Sequence, residues 1–226
     1  MDQINIYPIA RMKSNFTSKF GIPRQSGLVD SLRSTIIFEP EYRNADALRG
    51  LEDFSHLWII WQFSEAANKK WSPTVRPPRL GGNKRLGVFA TRSPFRPNPL
   101  ALSCVRIVGI EETAEHGSVI HVAGADLMDG TPILDIKPYI PYADSKPDAT
   151  GGFTDTAKDF ILQVDFPTHL MNMVPNHLRE ALLDLLTHDP RPSYQADSDR
   201  VYGMSFADLN IRFTVKDGTL TVCNIE

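Results

Sequence analysis

At 226 residues, with 42% hydrophobic and 23% charged side chains, the chain is long enough for one large domain or two small ones with an ordinary soluble core. A formal net charge of -3 and a sequence pI near 6.1 exclude indiscriminate coating of nucleic acid, but leave room for a local cationic site, because steering depends on the field of one face. The longest apolar stretch, Leu57 to Trp61, is far too short to cross a bilayer, the first residues lack the regions of a secretory signal, and Cys104 and Cys223 have no paired spacing, so a cytoplasmic protein with reduced core thiols is expected.

The first two thirds read as β-rich. Runs at 4–9, 34–38, 56–63, 85–91, 102–110 and 118–123 are short, apolar or alternating, and separated by Gly, Pro, Asn or charged residues, which predicts strands. No long amphipathic helix alternates with them, so a barrel or sandwich is expected rather than a doubly wound sheet. A short helix is predicted over Ala45 to Glu52. The stretch Asp144 to Thr156, rich in Pro, Gly, Asp and Thr, predicts a boundary that divides the chain into residues 1–145 and 146–226. Beyond it, Leu162, Val164 and Phe166 alternate as in a strand. Pro175 opens the clearest helix, with Leu178, Ala181, Leu182, Leu185 and Leu186 on one face and Pro190 forbidding continuation. Leu209, Ile211, Phe213 and Val215 alternate, Asp217-Gly218 supplies a turn, and Leu220 and Val222 resume the pattern, which predicts a hairpin. The expected fold class is mainly β, a larger β domain with a smaller α+β C-terminal domain.

Charge is segregated. From Ala66 to Ile110 there is no Asp or Glu, yet there are nine cations: Lys69, Lys70, Arg76, Arg79, Lys84, Arg85, Arg92, Arg96 and Arg106. Within this window Gly87-Val-Phe-Ala-Thr-Arg92-Ser-Pro-Phe-Arg96-Pro-Asn-Pro sets two arginines among three prolines, which fix φ and hold the guanidinium groups on a stiff loop. Planar paired donors held in this way suit phosphate or carboxylate oxygens. Two further stretches, Pro23-Arg24-Gln25-Ser26-Gly27 and Arg76-Pro-Pro-Arg79-Leu-Gly81-Gly82-Asn83, are tight, polar and basic. In the extended stretch that follows Asp129-Gly-Thr-Pro, Asp135, Lys137 and Tyr139 share one face, where they either serve a polar substrate or form a structural Asp-Lys pair beside a tyrosine.

Phosphate-binding, dinucleotide-binding, serine-elbow and zinc-protease motifs are absent, and the six histidines have no metal-ligand spacing, so no metal is expected. Group transfer from an activated donor remains open, because it asks for positioning and a proton acceptor rather than a nucleophile. A non-catalytic RNA-binding β-barrel module would use the same basic face without a cofactor cavity. An enzyme for a small anionic metabolite would gather its arginines in one closed pocket.

Taken together, Pro23-Arg24-Gln25, Leu51-Glu-Asp-Phe54-Ser-His56-Leu-Trp58, Thr74-Val-Arg76-Pro-Pro-Arg79, Gly87 to Pro99, Asp129 to Tyr139 and Asp189-Pro-Arg191-Pro-Ser-Tyr194 resemble, in order, the TsaA-like or TrmO family. The resemblance covers nearly the whole chain. It implies an N-terminal β-barrel, a homodimer, and S-adenosylmethionine-dependent methylation of tRNA at N6 of the N6-threonylcarbamoyladenosine at position 37. It further implies that the cofactor is gathered by Arg24, Gln25, Ser26 and Gly27, by Phe63 and Ser64, by Arg92 and Leu102, and by Gly124, Ala125, Asp126 and Leu127. Arg92 suits the cofactor carboxylate, the Gln25 amide its polar edges, and Phe63 and Leu102 its adenine. Position 26, often Pro in the family, is Ser here. The Asp135, Lys137 and Tyr139 face is the candidate for accepting the N6 proton. Lys69, Lys70, Arg76, Arg79, Arg96, Arg191 and Tyr194 are the candidates for the anticodon stem-loop, which is recognised through backbone charge and unstacked bases, with Trp71 and Phe95 available for stacking.

Overall fold

The computed structural model describes all residues except 1–3, 68, 78–79, 81–83, 156–160 and 192–196. Strands β1 (Ala10–Lys13), β2 (Arg33–Phe38) and β3 (His56–Gln62) are followed by a two-stranded ribbon, β4 (Thr74–Val75) and β5 (Leu86–Gly87), and then by β6 (Leu100–Thr113), β7 (Gly117–Ala123) and β8 (Pro132–Pro138). The ribbon apart, these form an antiparallel sheet in the order β1-β2-β7-β6-β3-β8. Pairing of Ala10 with Ile133 joins β8 back to β1, so the sheet closes on itself as a barrel. Alternation decides what faces inward: Leu57, Ile59 and Trp61 of β3 are buried with Ile36 and Phe38 of β2 and Ile120 and Val122 of β7, while Trp58 and Ile60 lie on the outer wall.

After the short helix α1 (Pro141–Asp144), the remaining chain forms a second sheet in the order β10 (Tyr202–Phe206), β11 (Leu209–Lys216), β12 (Thr219–Ile225) and β9 (Gln163–Asp165), with β9 parallel to β12. Helices α2 (Thr168–Met171) and α3 (Asn176–Thr187) accompany it, and α3 buries Ala181, Leu182, Leu185 and Leu186, the face its leucine spacing predicts. This second core reaches across the compositional boundary. Phe16, Val29 and Leu32, from the loop between β1 and β2, pack in it with Leu182, Phe206 and Phe213. Gly21 permits the close approach: its φ is +92°, and an added Cβ would lie 2.3 Å from the Met204 sulfur. The Ala207 N–H donates to the Asn15 carbonyl at 2.7 Å, and the Ser31 hydroxyl to the Asp184 carboxylate at 2.5 Å. The loop bearing Arg24 and Gln25 is therefore clamped by the C-terminal unit.

Three local expectations differ from the structure. Residues 4–9 carry no strand, and the ladder starts at Ala10. In the run 85–91 only Leu86 and Gly87 pair. Val88–Ala90 is a 3-10 turn, because Val88 alone is buried and both the hydroxyl and the N–H of Thr91 close onto the Val88 carbonyl. Residues 45–52 form two 3-10 turns, Ala45–Leu48 and Leu51–Asp53, separated by Gly50 at φ +86°. Among the described residues no helix is long and apolar enough to cross a membrane, and no group of three His, Cys, Asp or Glu residues is placed to hold a metal.

Candidate active site at the barrel mouth

A cavity of about 840 Å³ opens where β3 ends and β6 begins. Barrel strands supply Ile60, Trp61 and Leu100 to Ser103, and the segment leading into β8 supplies Asp126, Met128 and Thr131. The remaining walls come from the loops at 22–25 and 91–96, from the turn at 63–66, and from Lys19 and Lys69. Phe63 is fixed there by its N–H bond to the Pro99 carbonyl at 2.9 Å and by its ring against Trp61, centroids 4.5 Å apart.

The loop that carries Arg24 is pinned to the barrel backbone. Gly27 N–H donates to the Gly124 carbonyl at 2.8 Å, and Gly124 N–H to the Leu32 carbonyl at 3.1 Å. Both glycines are left-handed, and a Cβ on Gly124 would come within 3.2 Å of the Gly27 Cα, so glycine is required on geometric grounds. β7 ends at Ala123, opposite Arg106, so the Cys104 N–H on the same edge of β6 has no strand partner. The Ser26 hydroxyl accepts from it at 3.1 Å. Serine at position 26 thus contributes a side-chain bond that proline could not make.

A polar chain runs from this loop across the cavity. The Arg92 guanidinium donates to the Gln25 side-chain oxygen, the Gln25 amide donates to the Arg24 carbonyl, and the Arg24 guanidinium donates to the carbonyls of Asp189 and Arg191 at 3.3 and 3.1 Å. Arg96 braces its own loop by donating to the Thr91 and Ser93 carbonyls at 3.0 and 3.3 Å. Deeper in, Trp61 Nε1 donates to Ser103 Oγ at 2.9 Å, and Ser103 Oγ donates to Asp126 Oδ1 at 2.6 Å. Burial pushes the Asp126 carboxyl above its ordinary range, and this is only partly offset by the Ser103 bond, by backbone donors and by the charge of Arg92.

Of the twelve residues expected round the cofactor, Arg24, Gln25, Phe63, Ser64, Arg92, Leu102 and Asp126 line this cavity. Ser26, Gly27 and Gly124 hold its loops from behind. Ala125 and Leu127, at 1% and 0% exposure, belong to the barrel core and do not line the cavity. Asp135, Lys137 and Tyr139 lie outside the cavity. Asp135 pairs with Lys137 at 2.9 Å, and Tyr139 packs on Trp58 and His56 with centroids 5.8 and 6.2 Å away. Asp135 is in register with Ile60, which does line the cavity, so this face runs alongside the site without entering it.

The cations divide between cavity and surface. Lys69 and Arg96 line the cavity, with Lys69 over the Phe95 ring at 5.8 Å, while Lys70 and Arg76 are exposed. None of these four, nor Arg92, is paired with a carboxylate among the described residues. Arg106 is paired with Asp30 at 2.7 Å, a neutralisation that the acid-free window could not reveal because Asp30 lies outside it. Arg191 is largely enclosed. Its side chain is only 12% exposed, is held by both oxygens of Asp189 at 2.9 Å and lies over Tyr202, beside the carbonyls that receive Arg24. Arg79 and Tyr194 lie outside the described residues. Sequence reasoning missed Trp61, Ser103, Met128 and Thr131 as cavity residues. The available signal for Ser103 was a hydroxyl at an inward position of an apolar strand.

Comparison with known proteins accords with this geometry. Residues 11–145 match the tRNA-methyltransferase O N-terminal domain and residues 160–226 the TrmO C-terminal domain. The chain is 40% identical over 235 aligned residues to the tRNA (adenine(37)-N6)-methyltransferase of Escherichia coli strain K12, covering 100% of this chain and 99% of that one. It is 41% identical over 217 residues to a Pseudomonas aeruginosa protein named as an S-adenosylmethionine-dependent methyltransferase, covering 92% and 91%. A crystal structure of TrmO from Pseudomonas aeruginosa superposes with a TM-score of 0.80 at 32% identity over 100% of both chains. With both domains matched in order and relatives alike over their full length, the chain belongs to the TrmO family of tRNA methyltransferases.

Proposed function

We propose that this protein is an S-adenosylmethionine-dependent tRNA methyltransferase acting on N6 of the adenosine at position 37, with N6-threonylcarbamoyladenosine as the form it methylates. The observation that carries the reading is the convergence of Arg24, Gln25, Phe63, Arg92, Leu102 and Asp126 on one cavity of about 840 Å³, a volume suited to a nucleoside-sized ligand. The residues fit the cofactor: the Arg92 fork suits its carboxylate, and Phe63 and Leu102 form apolar walls for its base. When bound, the cofactor supplies an electrophilic methyl group on a sulfonium. The protein's part is to hold that group and the substrate N6 in line, exclude water and receive a proton. Lys69, Lys70, Arg76 and Arg96, extending from the cavity onto an exposed face, suit the phosphates of an anticodon stem-loop, and Trp71 at 51% and Phe95 at 41% exposure suit its unstacked bases.

A homodimer is part of the proposal. It is the assembly that the family resemblance implies. A cytoplasmic location follows from the substrate. The reading is tested by mass spectrometry of tRNA nucleosides from cells lacking the protein. Loss of the methylated threonylcarbamoyl nucleoside, with its unmethylated parent accumulating, is expected; its persistence without a second enzyme would refute the assignment.

A further inference from the structure

We infer that the Asp126 carboxylate is the group that takes the proton from the substrate nitrogen, and that Ser103, itself held by Trp61, is the residue that aims it. The inference rests on the methyltransferase reading above and deepens it. Asp126 is an acid on the cavity wall and is not in an ion pair among the described residues, whereas Asp135 is paired with Lys137 outside the cavity. Its carboxylate is fixed by Ser103 Oγ at 2.6 Å, and Ser103 is only 1% exposed and receives the Trp61 indole N–H at 2.9 Å, so two buried groups set the orientation.

Chemistry at an exocyclic N–H requires such a group. The nitrogen forms its new bond to the methyl carbon, the electron pair of the broken carbon–sulfur bond stays on sulfur, and the N6 proton passes to the Asp126 carboxylate and then to solvent. A carboxyl kept by burial above its ordinary range is a better proton acceptor than a free one. Arg92 is the charge that acts on it. Lys19, Arg24, Glu65, Lys69 and Arg96 are the other ionisable groups lining the same cavity.

The test uses the full-length protein, S-adenosylmethionine and tRNA carrying threonylcarbamoyladenosine. In D126N kcat is expected to fall by roughly 100-fold or more, the range for removing a general base, well beyond any loss of S-adenosylmethionine affinity measured by calorimetry or of tRNA affinity measured by filter retention. D126E is expected to recover part of that loss. S103A keeps the carboxylate but removes a donor that favours its charged form, so the acid limb of its kcat profile should move to higher pH. A kcat for D126N within about fivefold of wild type would overturn the inference alone. So would a loss of cofactor affinity large enough to account for the lost activity, or an acid limb unmoved in S103A. A wild-type protein that binds both ligands but leaves adenosine 37 unmethylated would overturn the function reading, and this inference with it. Should D126N not fold, the S103A profile and D126E decide.

Discussion

At the scale of single residues, the site depends on charges held in place by neutral neighbours. Arg92 is fixed through Gln25 rather than through a carboxylate, which leaves its positive charge for a ligand. Replacing it by alanine should weaken S-adenosylmethionine binding roughly 10- to 100-fold, the range for one charge-assisted bond, with little change in melting temperature; unchanged affinity would remove Arg92 from the site. Asp126 carries the opposite signature. Because its folded-state carboxyl is raised above the unfolded value, its ionisation works against folding at neutral pH, and that penalty is relieved as pH falls through the folded value. D126N should therefore melt no lower than wild type at neutral pH, and its advantage should shrink on acidification. A clear destabilisation at neutral pH would contradict burial as the dominant influence.

At the scale of elements, the decisive feature is a loop shared between two cores. Residues between β1 and β2 leave the barrel, pack Phe16, Val29 and Leu32 under the C-terminal sheet, and return to place Arg24 and Gln25 on the cavity. Two points hold this excursion. G124A should cost about 1–2 kcal/mol, because a left-handed position acquires a side chain facing the Gly27 backbone; chemical denaturation measures it. R191A frees Asp189 and loosens the carbonyls that receive Arg24, so cofactor affinity should fall about tenfold although Arg191 itself does not line the cavity. An R191A protein with lost tRNA affinity but unchanged cofactor affinity would show that Arg191 serves RNA and not the cofactor loop.

The same elements show what the sequence could reveal. Strands whose burial alternates, such as β3 and β11, and the leucine face of α3 were legible, because burial on one side imposes the pattern directly. β10 was not. Tyr202, Met204 and Phe206 do alternate, but the strand is short and turns at Ala207, whose φ of +52° no turn residue announces. Of the site, the stiff arginine loop was legible from its prolines, whereas the Trp61–Ser103–Asp126 chain joins β3, β6 and a loop through side chains that no local spacing connects.

At the scale of the whole molecule, a cofactor-sized cavity opens beside an exposed cationic face on a chain whose overall charge is negative. The lysine double variant K69A/K70A should weaken tRNA binding and flatten its dependence on salt by roughly 1–2 units on logarithmic axes; an unaltered slope would assign RNA binding elsewhere. In solution the particle should weigh near twice 25.3 kDa by light scattering. The most direct measurement is calorimetric titration of S-adenosylmethionine into the full-length wild-type protein and into R92A. Saturable binding with one cofactor per chain, weakened by the substitution, is predicted. Absence of binding to wild type, or equal binding by both proteins, would contradict a methyl-donor site at the mouth of the barrel.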